Sequence, residues 1–324
     1  MRFSILLAAA GLVTAAPLMA VPEPVPLTAE GPRGDLAGTL IAPAEGRPVV
    51  LILPGSGPTD RDGNNPMGVT AAPYRLLAEA LAGRGIGTVR IDKRGMFASK
   101  AAVTDANAVT VSDYVADTGS WVDAARAASG TTDCIWLLGH SEGGLVALAA
   151  AKRIEHLCGL ILVATPGRPL GTILREQLSA NPANAPILDE AETAITALEA
   201  GERVDVGKFH PAVQGLFAPA VQGFLIDLMA QDPAAMANMV ELPMLIVQGG
   251  TDLQVGAEDA KALVAAAPGA EYLAIPAMNH VLKDIAGGDV AANRASYADP
   301  SLAVSPALVD GIAAFITDFR KAIR

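Results

Sequence analysis

Gly139-His140-Ser141-Glu142-Gly143 is the segment of this chain best equipped for chemistry. It follows the apolar run Cys134–Leu138 and opens a stretch, GLVALAAAKRI, that reads as a helix. A serine between such a strand and helix sits on a sharp turn that leaves its hydroxyl exposed, and the flanking glycines make room for closely approaching backbone. The helix start favours negative charge developing nearby. A hydroxyl is a poor nucleophile until a neighbouring base takes its proton. The chain has four histidines. His140 adjoins the serine but points elsewhere on the turn and should pack or hydrogen-bond locally. His156 and His210 lie at a helix end and in a helical region. His280, in Met-Asn-His-Val just after the last expected strand, is the candidate base. Asp252, in GGTDLQV after the strand MLIVQ, is the candidate acid that would hold the imidazole's tautomer. The order serine, aspartate, histidine suits a strand-turn-helix nucleophile of this kind.

Acyl transfer through such a serine also needs two N–H donors aimed at the oxyanion. The backbone of Glu142 is one candidate. The other is the amide of Ser56, in the breaker cluster Pro54-Gly-Ser-Gly-Pro58 that follows the apolar strand PVVLIL. The Glu142 carboxylate would oppose a growing negative charge, so it is expected to turn toward a cation. Asp60, Arg61 and Asp62 read as an ion-pair cluster pinning this loop, with Arg94 as a possible partner.

Several elements must position these residues. Pro24–Thr28, Asp35–Ala42, Pro48–Leu53, Gly85–Ile91, Cys134–Leu138 and Cys158–Val163 read as strands. Helices are expected at Tyr74–Gly83, Val111–Ala128 and Leu145–Ile154. This alternation predicts an α/β fold with a mostly parallel sheet, helices on both faces, and antiparallel pairing only at the N-terminal edge. The rhythm stops between residues 169 and 241, where only helical spacing is visible; this reads as an inserted helical cap dividing a core of residues 21–168 and 242–324. Strands resume at Met244–Gln248 and Tyr272–Ile275, with helices at Glu258–Ala266 and from Pro306 to about Ala322. In the insertion, Phe217, Val221, Phe224 and Leu228 form an apolar stripe, more in keeping with helix packing than with an acyl pocket.

The quoted motifs, together with GSGPTDRDGNN (Gly55–Asn65), RIDKRG (Arg90–Gly95) and the tail ANRASYADPSLAVSPALVDGIAAFI, resemble a group of bacterial α/β-hydrolases. These are acyl esterases grouped with serine-aminopeptidase-like and dienelactone-hydrolase-like enzymes. The resemblance covers most of the chain outside the first residues and much of the insertion. It implies Ser141, Asp252 and His280 as the triad, a cap between the sixth and seventh core strands, and activity on short acyl esters. The chain departs from the pattern after Gly95, with MFAS where a second glycine often stands two places on.

Composition bounds the alternatives. About half of the 324 residues are apolar and the formal net charge is -11. A large core can be buried, and neither nucleic acid nor an anionic membrane surface is an expected partner. The expected partner is a small-molecule ester, and the chemistry needs no metal or organic cofactor. Residues 1–20 carry Arg2, an apolar run Phe3–Val13 and a small-residue segment ending at Ala20, the pattern of a secretory signal peptide. Export leaving no stable membrane anchor is therefore expected. Cys134 and Cys158 open neighbouring strands at matched heights, and an oxidising compartment would allow a disulfide. Two other functions fit the same residues. One is a peptidase, with Glu190, Glu192 or Glu199 holding a substrate amine; the other is a catalytically silent binding protein.

Overall fold

A computed structural model describes residues 22–130 and 134–323; residues 1–20, where a signal peptide is expected, lie outside the described residues. Eight strands form one sheet: β1 (Val25–Ala29), β2 (Leu36–Ile41), β3 (Val49–Leu53), β4 (Gly87–Ile91), β5 (Ile135–His140), β6 (Leu157–Val163), β7 (Met244–Gly249) and β8 (Glu271–Ile275). Their spatial order is β1-β2-β4-β3-β5-β6-β7-β8. Only β1–β2 and β2–β4 pair antiparallel, and β4 through β8 run parallel. The mostly parallel sheet is the one the strand–helix alternation predicts, and the architecture is the α/β-hydrolase fold that the resemblance implies.

Eleven α-helices connect the described strands: α1 (Pro73–Ala82), α2 (Val111–Ser129), α3 (Glu142–Ala150), α4 (Leu170–Ser179), α5 (Leu188–Glu199), α6 (Pro211–Leu216), α7 (Gln222–Met229), α8 (Pro233–Ala237), α9 (Ala257–Ala266), α10 (Val290–Ser296) and α11 (Pro306–Ile323). The central strands are apolar throughout because both sheet faces are covered. Successive side chains point to opposite faces. Val49, Leu51 and Leu53 of β3 therefore join Ile135 and Leu137 of β5 in one core, together with residues of α2, α3 and α9. Val50, Ile52, Trp136 and Leu138 join the opposite core with α1 and α11, where the Trp136 ring meets Phe315 edge-on at 5.4 Å. Each fully buried Val, Leu or Ile side chain contributes about 1.5–3 kcal/mol. Local signals set the helix ends. Thr110 and Asp113 form a reciprocal capping box at the start of α2, and Gly130 ends it in a left-handed conformation, satisfying otherwise orphaned backbone groups.

Helices α4 to α8 lie between β6 and β7. They carry a small core of their own, including Ile195, Leu198, Val213 and Phe217. The apolar stripe of this region is split by the fold. Phe217 packs inside that small core. Phe224 meets Tyr114 of α2 edge-on at 5.9 Å. Leu228 faces the cleft described below. Cys134 and Cys158 are joined in a disulfide, across the start of two adjacent strands.

Two local expectations need correction, and one departure from the expected pattern is resolved. The helix after Ser141 begins at Glu142, not Leu145, because Gly143 and Gly144 are taken into its first turn. Arg94 does not join the Asp60–Asp62 cluster; it pairs with Asp113 and Asp117 of α2. Position 97, where a second glycine often stands in similar chains, is Phe97 with φ 45°. The left-handed turn is kept despite the side chain, and for a bulky residue that conformation costs roughly 1–2 kcal/mol.

Candidate active site

The parallel strands all end at one rim, the usual place for ligands in an open α/β sheet. The loops after β3, β5, β7 and β8 carry Ser56, Ser141, Asp252 and His280 respectively. Ser141 has φ 54° and ψ -124°, a backbone conformation that costs a non-glycine residue of order 1–3 kcal/mol and persists only where its surroundings impose it. Glycine makes that turn possible. A Cβ on Gly143 would lie 2.2 Å from the Leu53 carbonyl oxygen, and one on Gly139 would lie 2.3 Å from that of Gly143.

His280 and Asp252 are brought together, with His280 Nδ1 donating to Asp252 Oδ2 at 2.9 Å. That bond leaves Nε2 as the acceptor, the tautomer a general base needs. The other carboxylate oxygen accepts from the Gln254 and Val255 N–H groups at 2.7 and 2.9 Å. Burial alone would raise the Asp252 carboxyl. The His280 ring and these backbone donors outweigh it and hold the group below the ordinary aspartate range, so it stays ionised. The Ser141 hydroxyl makes no hydrogen bond among the described residues, so no direct bond joins it to His280. Such bonds are commonly long without substrate and tighten when it binds. The His280 ring lies 4.7 Å, centroid to centroid, from that of His140, the residue before Ser141 in sequence.

Sequence reasoning missed the groups that hold this geometry. His140 Nε2 donates to the His280 carbonyl at 2.9 Å. Its Nδ1 therefore accepts, from the Tyr74 hydroxyl at 2.8 Å, while that hydroxyl accepts from the Gly55 N–H at 3.0 Å. One chain of hydrogen bonds thus ties the Ser56 loop to the His280 loop. Asn279 plays a matching part. Its side-chain amide donates to Asn293 Oδ1 and Ser296 Oγ of α10 at 3.0 and 2.7 Å. Asn293 in turn donates to the Thr251 carbonyl, beside Asp252. Hydrophobic periodicity carries no signal for such contacts.

Two opposite ion pairs join the loop after β3 to the end of β4: Arg61 with Asp92 at 2.6 Å, and Arg90 with Asp62. Asp60 Oδ1 accepts from the Asp62 and Asn64 N–H groups, both at 2.8 Å. The Glu142 carboxylate does turn to a cation, Lys93, at 3.3 Å. The Ser56 and Glu142 N–H groups donate to no acceptor among the described residues. Both residues line an open cleft whose other walls include Leu145, Pro166, Leu170 and Leu228.

Burial pushes the His140 ring down to about 3, with the adjacent His280 ring acting in the same direction. An unfolded histidine titrates near 6.5. Between those values the unfolded chain holds a proton that the folded chain excludes, so stability falls as the pH drops, by about 1.4 kcal/mol per unit. Above 6.5 the group contributes no slope. Urea unfolding should therefore show wild type losing about 2 kcal/mol more than His140→Gln between pH 6.5 and 5. Equal losses would remove the buried neutral imidazole from the account.

Comparison with known proteins adds to this geometry. A family described as serine aminopeptidase, S33 matches residues 67–283, which include Ser141, Asp252 and His280. Esterase EstD of Thermotoga maritima is 28% identical over 243 residues, 72% of this chain and 54% of that protein. The chain thus spans about half the length of the curated relative it matches. Among solved structures, a thermophilic esterase from Thermogutta terrifontis superposes with TM-score 0.54 at 19% identity, over 92% of this chain and 99% of that one. Est1E from Butyrivibrio proteoclasticus gives 0.56 at 17%, over 91% and 99%. The esterase EaEST from Exiguobacterium antarcticum gives 0.56 at 14%, over 90% and 100%. At these identities the structural likeness is one of fold.

Proposed function

Since this chain belongs to the serine aminopeptidase S33 family and is a hydrolase, we propose that it acts as a serine carboxylesterase on short acyl esters. The reading is carried by the His280–Asp252 pair at 2.9 Å, at the same rim of the sheet as a serine held at φ 54° on a strand-to-helix turn. In this mechanism Ser141 Oγ attacks the ester carbonyl carbon while His280 Nε2 takes its proton. The tetrahedral oxyanion accepts hydrogen bonds from the Ser56 and Glu142 N–H groups. Collapse breaks the bond to the alkoxy oxygen, and His280 returns the proton to the departing alcohol. Water then attacks the acyl-enzyme, giving its proton to His280. The second collapse releases the carboxylic acid and restores the Ser141 hydroxyl. Asp252 stays ionised throughout and stabilises the imidazolium. The apolar cleft over both donors, bounded by Leu145, Leu170 and Leu228, supports a short acyl group.

The family description raises a peptidase as the second reading. An aminopeptidase needs unpaired carboxylates for the substrate amine. Glu192 and Glu199 instead share Arg175, each at 2.8 Å, and Glu190 accepts from the His210 N–H at 2.6 Å. These partners favour the esterase. A p-nitrophenyl ester series on the mature protein tests it, with kcat/KM expected to peak between acetate and butyrate and to drop at least about tenfold by octanoate, since extra methylenes no longer fit. Activity confined to amino-acid p-nitroanilides would overturn it. Export belongs to the same proposal, and the Cys134–Cys158 disulfide supports it because such bonds persist in oxidising compartments.

A further inference from the structure

Lys93 follows β4, and its side chain is buried, 5% exposed, under the Ser56 loop. An ammonium has three N–H groups, and this one has three partners. It donates to the Gly55 carbonyl at 2.8 Å and to Glu142 Oε1 at 3.3 Å, and it lies 5.4 Å from the centre of the Tyr114 ring, whose face attracts a cation. Two of these contacts reach the residues assigned to the oxyanion. The Gly55 carbonyl belongs to the same peptide unit as the Ser56 N–H, and Glu142 carries the second donor.

We propose that Lys93 is a positioning residue of the oxyanion site, setting the direction of the Ser56 N–H through the Gly55–Ser56 peptide and steadying Glu142 through its carboxylate. The inference rests on the esterase reading above. Its physical step is the planarity of a trans peptide, in which C=O and N–H point in opposite directions. Anchoring the Gly55 oxygen on a buried ammonium fixes the Ser56 N–H on the opposite side. Tyr74 holds the residue's other end by accepting from the Gly55 N–H, so Gly55 is gripped from both sides. A cation on the carbonyl also polarises the peptide and strengthens its N–H as a donor. Donors fixed in advance need no reorganisation when charge develops on the substrate oxygen. A plain structural role explains less: a buried ion pair can often be replaced by apolar side chains without loss of stability. Apolar side chains could not grip a carbonyl.

The test is the double variant Lys93→Met with Glu142→Gln. Removing one partner alone would leave an unpaired buried charge and unsettle the fold, whereas the double change leaves both backbone donors in place. With p-nitrophenyl butyrate, kcat should fall about 10- to 100-fold with KM within about twofold, the mark of an interaction made in the transition state. Affinity for an alkyl trifluoromethyl ketone, which forms a tetrahedral adduct on the serine, should weaken by a similar factor. If the Met variant does not fold, Lys93→Gln with Glu142→Gln spans the same gap with a neutral amide and should lose at least about fivefold in both constants. The proposal is overturned if the folded variant keeps kcat and ketone affinity within twofold of wild type, or if only its melting temperature or KM changes. Wild type and Ser141→Ala are assayed alongside. An inactive wild type or an active Ser141→Ala would condemn the esterase reading, and this inference with it. An active wild type with a silent Ser141→Ala leaves the Lys93 result to judge the positioning role alone.

Discussion

Ser141→Ala should lower kcat for p-nitrophenyl butyrate by about a million-fold, the scale on which a serine triad fails when its nucleophile is removed. At about 1.4 kcal/mol per decade this is about 8 kcal/mol of barrier. It is large because the serine supplies the bond-forming oxygen and is the only route to an acyl-enzyme. The oxyanion donors and the cleft remain, so some catalysis over water should persist. Ser141→Gly should be equally inactive but more stable than wild type by about 1 kcal/mol, because glycine adopts the φ of 54° without the penalty serine carries. A plain turn serine would show the stability gain without the loss of activity. Steady-state kinetics and urea unfolding on the same preparations separate the two outcomes.

Asp252→Asn should lower kcat by about ten-thousand-fold while leaving the fold and KM nearly unchanged. The carboxylate accepts from His280 Nδ1 at 2.9 Å. An asparagine amide can occupy the same place but can turn its NH2 group to that nitrogen. The ring then carries its proton on Nε2 and cannot take one from Ser141. The substituted residue also carries no charge to stabilise the imidazolium. Full activity in Asp252→Asn would mean that the aspartate only shapes a loop through the Gln254 and Val255 N–H groups.

The fold was readable because its signals are local and repeated. Apolar runs such as VVLIL and IWLL, separated by helical spacing, suit a parallel sheet covered on both faces, and the loss of that rhythm after Pro169 marks where α4 begins. The candidate site residues stood out in the sequence for a different reason: each lies in a short motif just past a strand's carboxyl end. What holds them was not. His140 adjoins Ser141, yet its partners, Tyr74 and the His280 carbonyl, lie 66 and 140 residues away. Asn279 finds its partners on α10, a short helix that follows a glycine pair and has a weak apolar pattern. Lys93 reads as one more charge in RIDKRG; only the folded chain places it under Gly55. Arg94 was misassigned because charge alone cannot choose between the acidic cluster after Ser56 and the start of α2.

The central claim is that Ser141, activated through His280, becomes acylated. Intact and peptide mass spectrometry after brief treatment with a fluorophosphonate tests it most directly. One adduct per chain on the peptide containing Ser141, with labelling slowed at least about a thousandfold in His280→Ala, is the result this account predicts. No adduct on wild type, or an adduct on another residue that forms as fast in His280→Ala, would contradict it.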